Sequence, residues 1–328
     1  MYACLDLGSN SFHLLIARFE QGRMIVVERF SEKVQLGEGV AINGVLSDAA
    51  MRRGSECLHH FREVIDAHPA DCLWSVGTNA LRKAGNAGIF LREARLLGFD
   101  IEVISGEKEG ALVYAGVSSL LSDEDEPRLV VDIGGGSTEI VSGEGNRHHR
   151  VVSLPMGCVS WRDRFFSELT TEASREDVDR ALDASADEAT AILSDARETL
   201  EVSPQSLLAV HASSGTAKML AVIAGAQGEP ARMVSRDGLD RLRREQLLHR
   251  LVEEPDWLVP GLKPARRDLL LPGWTLVRAF MDVFDVPLLA FSPSALREGM
   301  LATMRAHRVA PDEAPVSARM QWRDGTAG

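Results

Sequence analysis

The sequence predicts a duplicated mixed α/β protein, with two domains that each open on three hairpin-connected strands joined to a parallel core. Two glycine-rich acidic loops, Asp6-Leu7-Gly8-Ser9-Asn10-Ser11 and Asp132-Ile133-Gly134-Gly135-Gly136-Ser137-Thr138-Glu139, each follow a short apolar run directly. Each leads into a second run (Phe12 to Phe19, Glu139 to Ser142) and then a third (24 to 30, 146 to 154), so the order strand, loop, strand, strand occurs twice. After each set, strand-like and helix-like segments alternate, as in a sheet whose antiparallel edge joins a parallel core. The expected divisions are 1–125, 126–306 and a frayed tail over 307–328, rich in Pro, Ala and charge.

In the first half, Ser47 caps a helix to about Ala67, with Ala50, Gly54, Cys57, Leu58, Phe61, Val64 and Ile65 on one face. Leu73 to Val76 is a strand ending at Gly77-Thr78-Asn79, and Arg82, Lys83 and Asn86 follow on a turn or short helix. A helix over about 88–97, a strand Ile101 to Ile104 and a helix carrying Glu109, Leu112, Val113 and Val117 lead to the acidic stretch Asp123 to Glu126. In the second half the strand at 129–131 pairs with Ile140-Val141. Helices follow at about 174–200 and 237–252, with a strand Leu207 to Val210 between them that leads into Ser213-Ser214-Gly215-Thr216 and a further helix. A helix near 272–284, a strand 288–291 and a helix near 295–306 complete the pattern.

A chain of 328 residues with 45% hydrophobic and 26% charged residues is long enough for two cores. The start, Met1-Tyr2-Ala3-Cys4-Leu5-Asp6, has no basic segment and an early Asp, and no apolar run approaches the roughly 20 residues that cross a bilayer. A cytoplasmic protein without membrane partners is expected. Cys4, Cys57, Cys72 and Cys158 are too scattered for a zinc ribbon or a disulfide scaffold, and the histidine pairs His59-His60 and His148-His149 have no ligand partners at metal spacing. A net charge of −12 argues against nucleic acid, which needs a broad cationic face. A small polyanion needs only local charge, for which Lys33, Arg82, Lys108, Lys218, Arg266 and Arg267 are candidates.

The loops suit phosphate. Each has a carboxylate able to hold a hydrated divalent cation, glycines that let N–H groups approach phosphate oxygens, and hydroxyls that donate to them. Ligands of such sheets sit at the carboxyl ends of strands, where all of these glycine-rich segments fall, so the two halves are expected to face one another across an interdomain cleft. Asp132 and Glu139, at the two ends of one hairpin, and Asp6 from the first loop are the candidate metal ligands. Ser9, Asn10, Ser11, Gly135, Gly136, Ser137 and Thr138 are the candidate phosphate donors. Glu109, near the start of a helix after a strand end, is the candidate base for a water attacking in line.

Taken in order, the runs DLGSNSFHLLIAR (Asp6 to Arg18), VGTNALRKAGN (Val76 to Asn86), ISGEKEGAL (Ile104 to Leu112), VVDIGGGSTEIV (Val130 to Val141) and LPMGCVSW (Leu154 to Trp161) resemble the exopolyphosphatase/guanosine pentaphosphate phosphohydrolase (Ppx/GppA) family. SSGT (Ser213 to Thr216), RRDLLLPG (Arg266 to Gly273) and ALREGML (Ala295 to Leu301) extend the resemblance to residues 2 to about 305. It implies the duplicated actin-like ATPase (RNase H-like) fold and removal of terminal orthophosphate by water, from inorganic polyphosphate, guanosine pentaphosphate (pppGpp) or both. It also implies Mg2+ with a monovalent cation such as K+, homodimers, catalytic roles for Glu109, Asp132 and Glu139, and a phosphate role for Arg82. Gly215 and Thr216 resemble the base-side loop of nucleotide-binding relatives.

Two departures stand out. Family members often carry two adjacent glutamates and then a small residue after Ser-Gly-x, where this chain reads Lys108, Glu109 and Gly110. Longer members also continue past the core into a helical domain that has no counterpart among these 328 residues, from which a shorter cleft and a preference for short polyphosphates are expected. The competing readings are an ATP-dependent phosphotransferase of the same superfamily and a non-catalytic actin-like nucleotide-binding protein. A P-loop NTPase is excluded at motif level, because no G-x-x-x-x-G-K-[ST] occurs.

Overall fold

The computed structural model describes residues 1–121, 126–169, 173–202, 209–247, 259–309 and 320–322. The chain divides into two compact units, Met1–Leu120 with Ser294–Gly328, and Leu121–Pro293.

In unit 1, β1 (Tyr2–Leu7), β2 (Phe12–Glu20) and β3 (Arg23–Glu32) run antiparallel, and β4 (Cys72–Gly77) lies parallel to β1 on its other side. β5 (Ile101–Val103) pairs parallel with β4. Alternate residues point to opposite faces. Leu5, Leu7, Phe12, Leu14 and Ile16 share one core with Leu58, Phe61 and Ile65 of α2 (Asp48–Ala67) and Phe90 of α4 (Ala87–Leu96). The Ser47 hydroxyl accepts the Ala50 N–H at 3.1 Å, the expected N-cap. α1 (Val40–Asn43) was not expected, and α3 (Asn79–Lys83) supplies the short helix that carries Arg82.

α5 (Gly106–Ser118) and α11 (Leu296–Val309) pack on each other, and α11 also packs on β1. The Cys4 thiol donates to the Arg297 carbonyl at 3.5 Å, and buried Glu298 accepts from Arg29 Nη2 and from the Ala295 N–H, both at 2.9 Å. The expected extent of the second domain, 126–306, is therefore corrected. Leu296, Met300, Leu301 and Met304 of α11 are buried within unit 1, because that apolar stripe finds its partner in α5 and β1. The expected tail also starts too early: α11 runs to Val309, and β12 (Gln321–Trp322) pairs antiparallel with β4. Residues 310–319 and 323–328 of that tail lie outside the described residues.

Unit 2 repeats the plan. β6 (Pro127–Ile133), β7 (Thr138–Glu144) and β8 (Arg147–Leu154) are antiparallel, β9 (Ala209–Ser213) is parallel to β6, and β11 (Leu288–Phe291) is parallel to β9. β10 (Met233–Ser235), not expected, closes that edge antiparallel to β11. The strand orders β4-β1-β2-β3 and β9-β6-β7-β8 correspond. Leu129, Val131, Ile133, Ile140, Ala212 and Leu289 form one core with α7 (Arg175–Leu200), α8 (Ser214–Ala226), α9 (Arg236–Leu242) and α10 (Leu270–Val283). α6 (Cys158–Trp161), continued by a π turn over Arg162–Phe166, was not expected. Asp123 to Asp125, Leu207, Leu208 and residues 248–252 of the expected elements lie outside the described residues. Among the described residues no helix is long and apolar enough to cross a membrane.

Candidate functional site

In unit 1 the first loop is closed by the Gly8 N–H donating to the Ser11 carbonyl at 3.2 Å. The carbonyls of Ser9 and Asn10 accept from Gly37 (2.8 Å) and Gln35 (2.9 Å), tying the loop to the turn after β3. The N–H groups of Ser9 and Asn10 meet no acceptor among the described residues, so the loop presents donors to its surroundings. Asp6 is the one β1 residue that is not buried.

Arg82, on α3 after β4, donates through Nη1 to the Ile104 carbonyl at 2.8 Å and to Glu109 Oε2 at 3.3 Å. The predicted phosphate arginine and the predicted base therefore touch, with side chains 23% and 13% exposed. Glu109 lies in the first turn of α5, whose cap Ser105 accepts the Lys108 N–H at 3.2 Å. Hydrogen bonds from its own N–H and from Ser105 hold neighbouring Glu107 below the usual carboxylate range, as expected where unpaired N–H groups of a helix start favour negative charge. Lys108 turns away from Glu109: its Nζ lies 2.6 Å from Glu102 Oε1 and over the Trp74 ring. Trp74 Nε1 donates to the other Glu102 oxygen at 2.9 Å, so the Lys108 departure is absorbed by Glu102 and Trp74.

In unit 2 the second loop is closed in the same way, Gly134 N–H to Ser137 carbonyl at 2.9 Å. The carbonyls of Gly134 and Gly135 accept from Cys158 (2.9 Å) and Val159 (2.7 Å) at the start of α6, which seats the loop. The Gly135 and Gly136 N–H groups find no acceptor among the described residues. Asp132 and Glu139 are register partners on adjacent strands, so their side chains share one face of the sheet. The Ser213 hydroxyl donates to Asp132 Oδ2 and the Ser153 hydroxyl to Glu139 Oε1, both at 2.7 Å. Sequence reasoning missed both serines as partners of carboxylates. Their only signal is strand register, which a single sequence does not print.

Thr138, an expected phosphate donor, and Thr216, of the expected base-side loop, both make internal hydrogen bonds. Thr138 is buried and spends its hydroxyl proton on the Met156 carbonyl at 2.7 Å. Thr216 is buried too; its N–H goes to Ser214 Oγ at 3.2 Å and its side chain bonds the Cys158 thiol. Burial pushes that thiol up, partly offset by Thr216, Arg266 and Arg162. A Cβ at Gly215 would meet the Arg266 guanidinium, Nη1 at 2.6 Å and Cζ at 2.8 Å, so Arg266 lies directly against this glycine and would have to shift. Beside it Ser214 holds φ at +91°, a region that costs a non-glycine residue about 1–3 kcal/mol. Asp268 of the Arg266, Arg267, Asp268 group pairs with Arg162 at 2.6 Å.

Among the described residues no three His, Cys, Asp or Glu side chains are grouped to hold a metal. Two carboxylates in register suit Mg2+, which binds through one or two carboxylates together with substrate phosphates and keeps several waters.

Twice-built glycine loops that offer backbone donors at strand ends, with carboxylates beside them, define an α/β protein of duplicated design whose loops suit phosphate. The chain belongs to the Ppx/GppA phosphatase family, whose profile matches residues 15–307. It is 35% identical over 314 residues to a guanosine-5'-triphosphate,3'-diphosphate pyrophosphatase of Photobacterium profundum, covering 94% of this chain and 61% of that protein. A protein of the same name from Vibrio vulnificus is 36% identical over 310 residues, covering 93% of this chain and 59% of the relative. The chain thus spans about three fifths of the length of the curated relatives it matches. Among solved structures, a Ppx/GppA enzyme of Aquifex aeolicus superposes with a TM-score of 0.72 at 26% identity, over 92% of this chain and 98% of that one. An exopolyphosphatase of Cytophaga hutchinsonii gives 0.77 at 27%, over 92% and 97%. The expected duplicated actin-like fold agrees with these matches and with the repeated strand order.

Proposed function

We propose that this chain is a phosphohydrolase that passes the terminal phosphate of guanosine pentaphosphate or of inorganic polyphosphate to water, with Mg2+ as its metal. The observation that carries the reading is the Arg82–Glu109 contact at 3.3 Å: in unit 1 a guanidinium suited to grip phosphate adjoins a carboxylate suited to aim and deprotonate water. The names of the 35% identical relatives and of the Cytophaga structure supply the two substrates, which share a terminal phosphoanhydride.

Each unit has its own part. In unit 1 the Ser9 and Asn10 N–H groups donate to phosphate oxygens, Arg82 exchanges its bond to Glu109 for one to phosphate, and Glu109 takes a proton from water at Oε2. In unit 2 the Gly135 and Gly136 N–H groups donate to phosphate, and Asp132 and Glu139 are the residues that would hold the metal. Mg2+, when bound, supplies positive charge against the phosphate oxygens.

The test is orthophosphate release from pppGpp and from short and long polyphosphate with Mg2+, by wild type and Glu109→Gln. Loss of a general base lowers kcat by about 10²–10⁴-fold with little change in KM. Wild-type turnover in the Gln variant contradicts the assignment of the base. Transfer of phosphate to an organic acceptor in preference to water contradicts hydrolysis.

A further inference from the structure

The sheet of unit 2 carries a polar row at its loop end. Strand register places Ser213 (β9), Asp132 (β6), Glu139 (β7) and Ser153 (β8) side by side across four neighbouring strands. Register partners point to the same face, and this face is opposite the one that builds the core, because the alternating residues Val131, Ile133, Ile140 and Ala212 belong to that core. The outer pair of the row are the two serines, and each donates its hydroxyl inward to its neighbouring carboxylate at 2.7 Å.

The duplicated sheet of unit 1 shows that the fold does not demand this row. There the corresponding positions are Val76, Asp6, His13 and Ser31. Valine replaces the serine that would face the aspartate, and histidine replaces the glutamate. The same backbone therefore accepts an apolar residue at the position of Ser213, and the doubly clipped carboxylate pair is a particular feature of unit 2.

We propose that Ser213 and Ser153 are positioning residues for metal binding: each fixes the rotamer of one carboxylate, so that Asp132 and Glu139 are presented together as a preformed pair. This rests on the reading that these two carboxylates hold the divalent cation. The physical reason is that an aspartate or glutamate free to sample several rotamers loses that freedom when it binds a metal, whereas one already held by a hydrogen bond does not. A hydroxyl donated to a carboxylate is a charge-assisted bond, short and directional enough to hold it. Ser153 also braces the longer glutamate from the sheet edge, because β8 is the terminal strand.

The experiment measures Mn2+ binding to the full chain by the loss of the free-ion EPR signal, alongside thermal unfolding and the Mg2+ dependence of phosphate release. Variants are Ser213→Ala, Ser153→Ala, Ser213→Thr and the control Asp132→Ala. Each Ser→Ala change is expected to weaken Mn2+ binding about 10-fold or more. The Mg2+ needed for half-maximal rate rises by the same factor, and the rate at saturating Mg2+ returns to near wild type. Ser213→Thr, which keeps the hydroxyl on a residue that strands accept, binds as the wild type does. Ser→Ala variants that bind Mn2+ normally while Asp132→Ala does not overturn the positioning role and leave the metal assignment standing. A lowered unfolding temperature with unchanged Mn2+ affinity shows the serines to be structural, and overturns it too. An Asp132→Ala variant that still binds normally removes the metal assignment and this proposal together.

Discussion

Gly116, in α5, faces α11 so closely that no side chain fits. A Cβ at Gly116 overlaps the Ala295 carbonyl oxygen and lies 2.8 Å from its carbon and 2.9 Å from the Gly299 nitrogen. All three are backbone atoms, so no rotamer change relieves the overlap. With optimal carbon contacts at about 3.5–4.0 Å, α11 has to retreat by about an ångström. The retreat also strains the Ser294 hydroxyl's bond to the Gly116 carbonyl, 2.5 Å long. Overpacking of this kind costs about 1–3 kcal/mol, and one lost hydrogen bond about 0.5–1.5 kcal/mol, so Gly116→Ala is expected to destabilise unit 1 by about 3 kcal/mol. With a urea slope near 2 kcal/mol/M, the unit 1 midpoint falls by about 1.5 M. Gly225→Ala is the matched control. Gly225 is exposed near the end of α8, with nothing within 4 Å of a Cβ, and the same change there stabilises by about 0.4–1 kcal/mol. Urea melts followed by circular dichroism and tryptophan fluorescence read both. Equal shifts of the two variants, or an unmoved midpoint for Gly116→Ala, refute the close-packing argument.

Two further outcomes follow from the geometry. Lys108→Ala removes an ion pair and a cation–π contact that face Glu102 and Trp74, so it leaves kcat within about threefold of wild type and costs at most about 1–2 kcal/mol of stability; a loss of turnover like that of Glu109→Gln in the same phosphate-release assay speaks against this geometry. Burial, reinforced by Arg128, holds the His211 imidazole below its ordinary value of about 6.5. Its folded pKa is depressed, so between the two values the unfolded chain binds more protons. The contribution is complete above pH 6.5 and declines as pH falls towards the folded value, by no more than about 1.4 kcal/mol per pH unit. Urea midpoints between pH 5 and 8 should show a slope that His211→Gln flattens, and equal slopes for the two proteins contradict it.

Much of the fold was legible in the chain. The strands that flank both loops, the Ser47-capped helix α2 and the order of segments were readable from alternation, helical spacing and punctuation by glycine, all of which are local signals. The short pieces β10, β12, α1 and α6 were not, because a run of two to four residues carries too little pattern to stand out from a loop. At the candidate site, the Asp132/Glu139 pair and the Arg82 and Glu109 candidates were named from the sequence. The internal engagement of Thr138 and Thr216 was not, because nothing in a threonine's neighbours along the chain says that a carbonyl or a thiol awaits it across the fold.

The amino-acid order was enough to establish the duplicated mixed-sheet plan, the two phosphate-suited loops and the family, because each is carried by contiguous residues whose chemistry and periodicity are local. The three-dimensional packing settled the rest: α11 belongs with unit 1, Lys108 answers to Glu102 instead of its neighbour Glu109, and two serines from the strands on either side of the β6–β7 pair clip its carboxylates. Each of these joins residues far apart in the chain or turned to a particular face. An amphipathic stripe announces that it will be buried, and a hydroxyl that it will be bonded, but strand register and helix docking choose the partner.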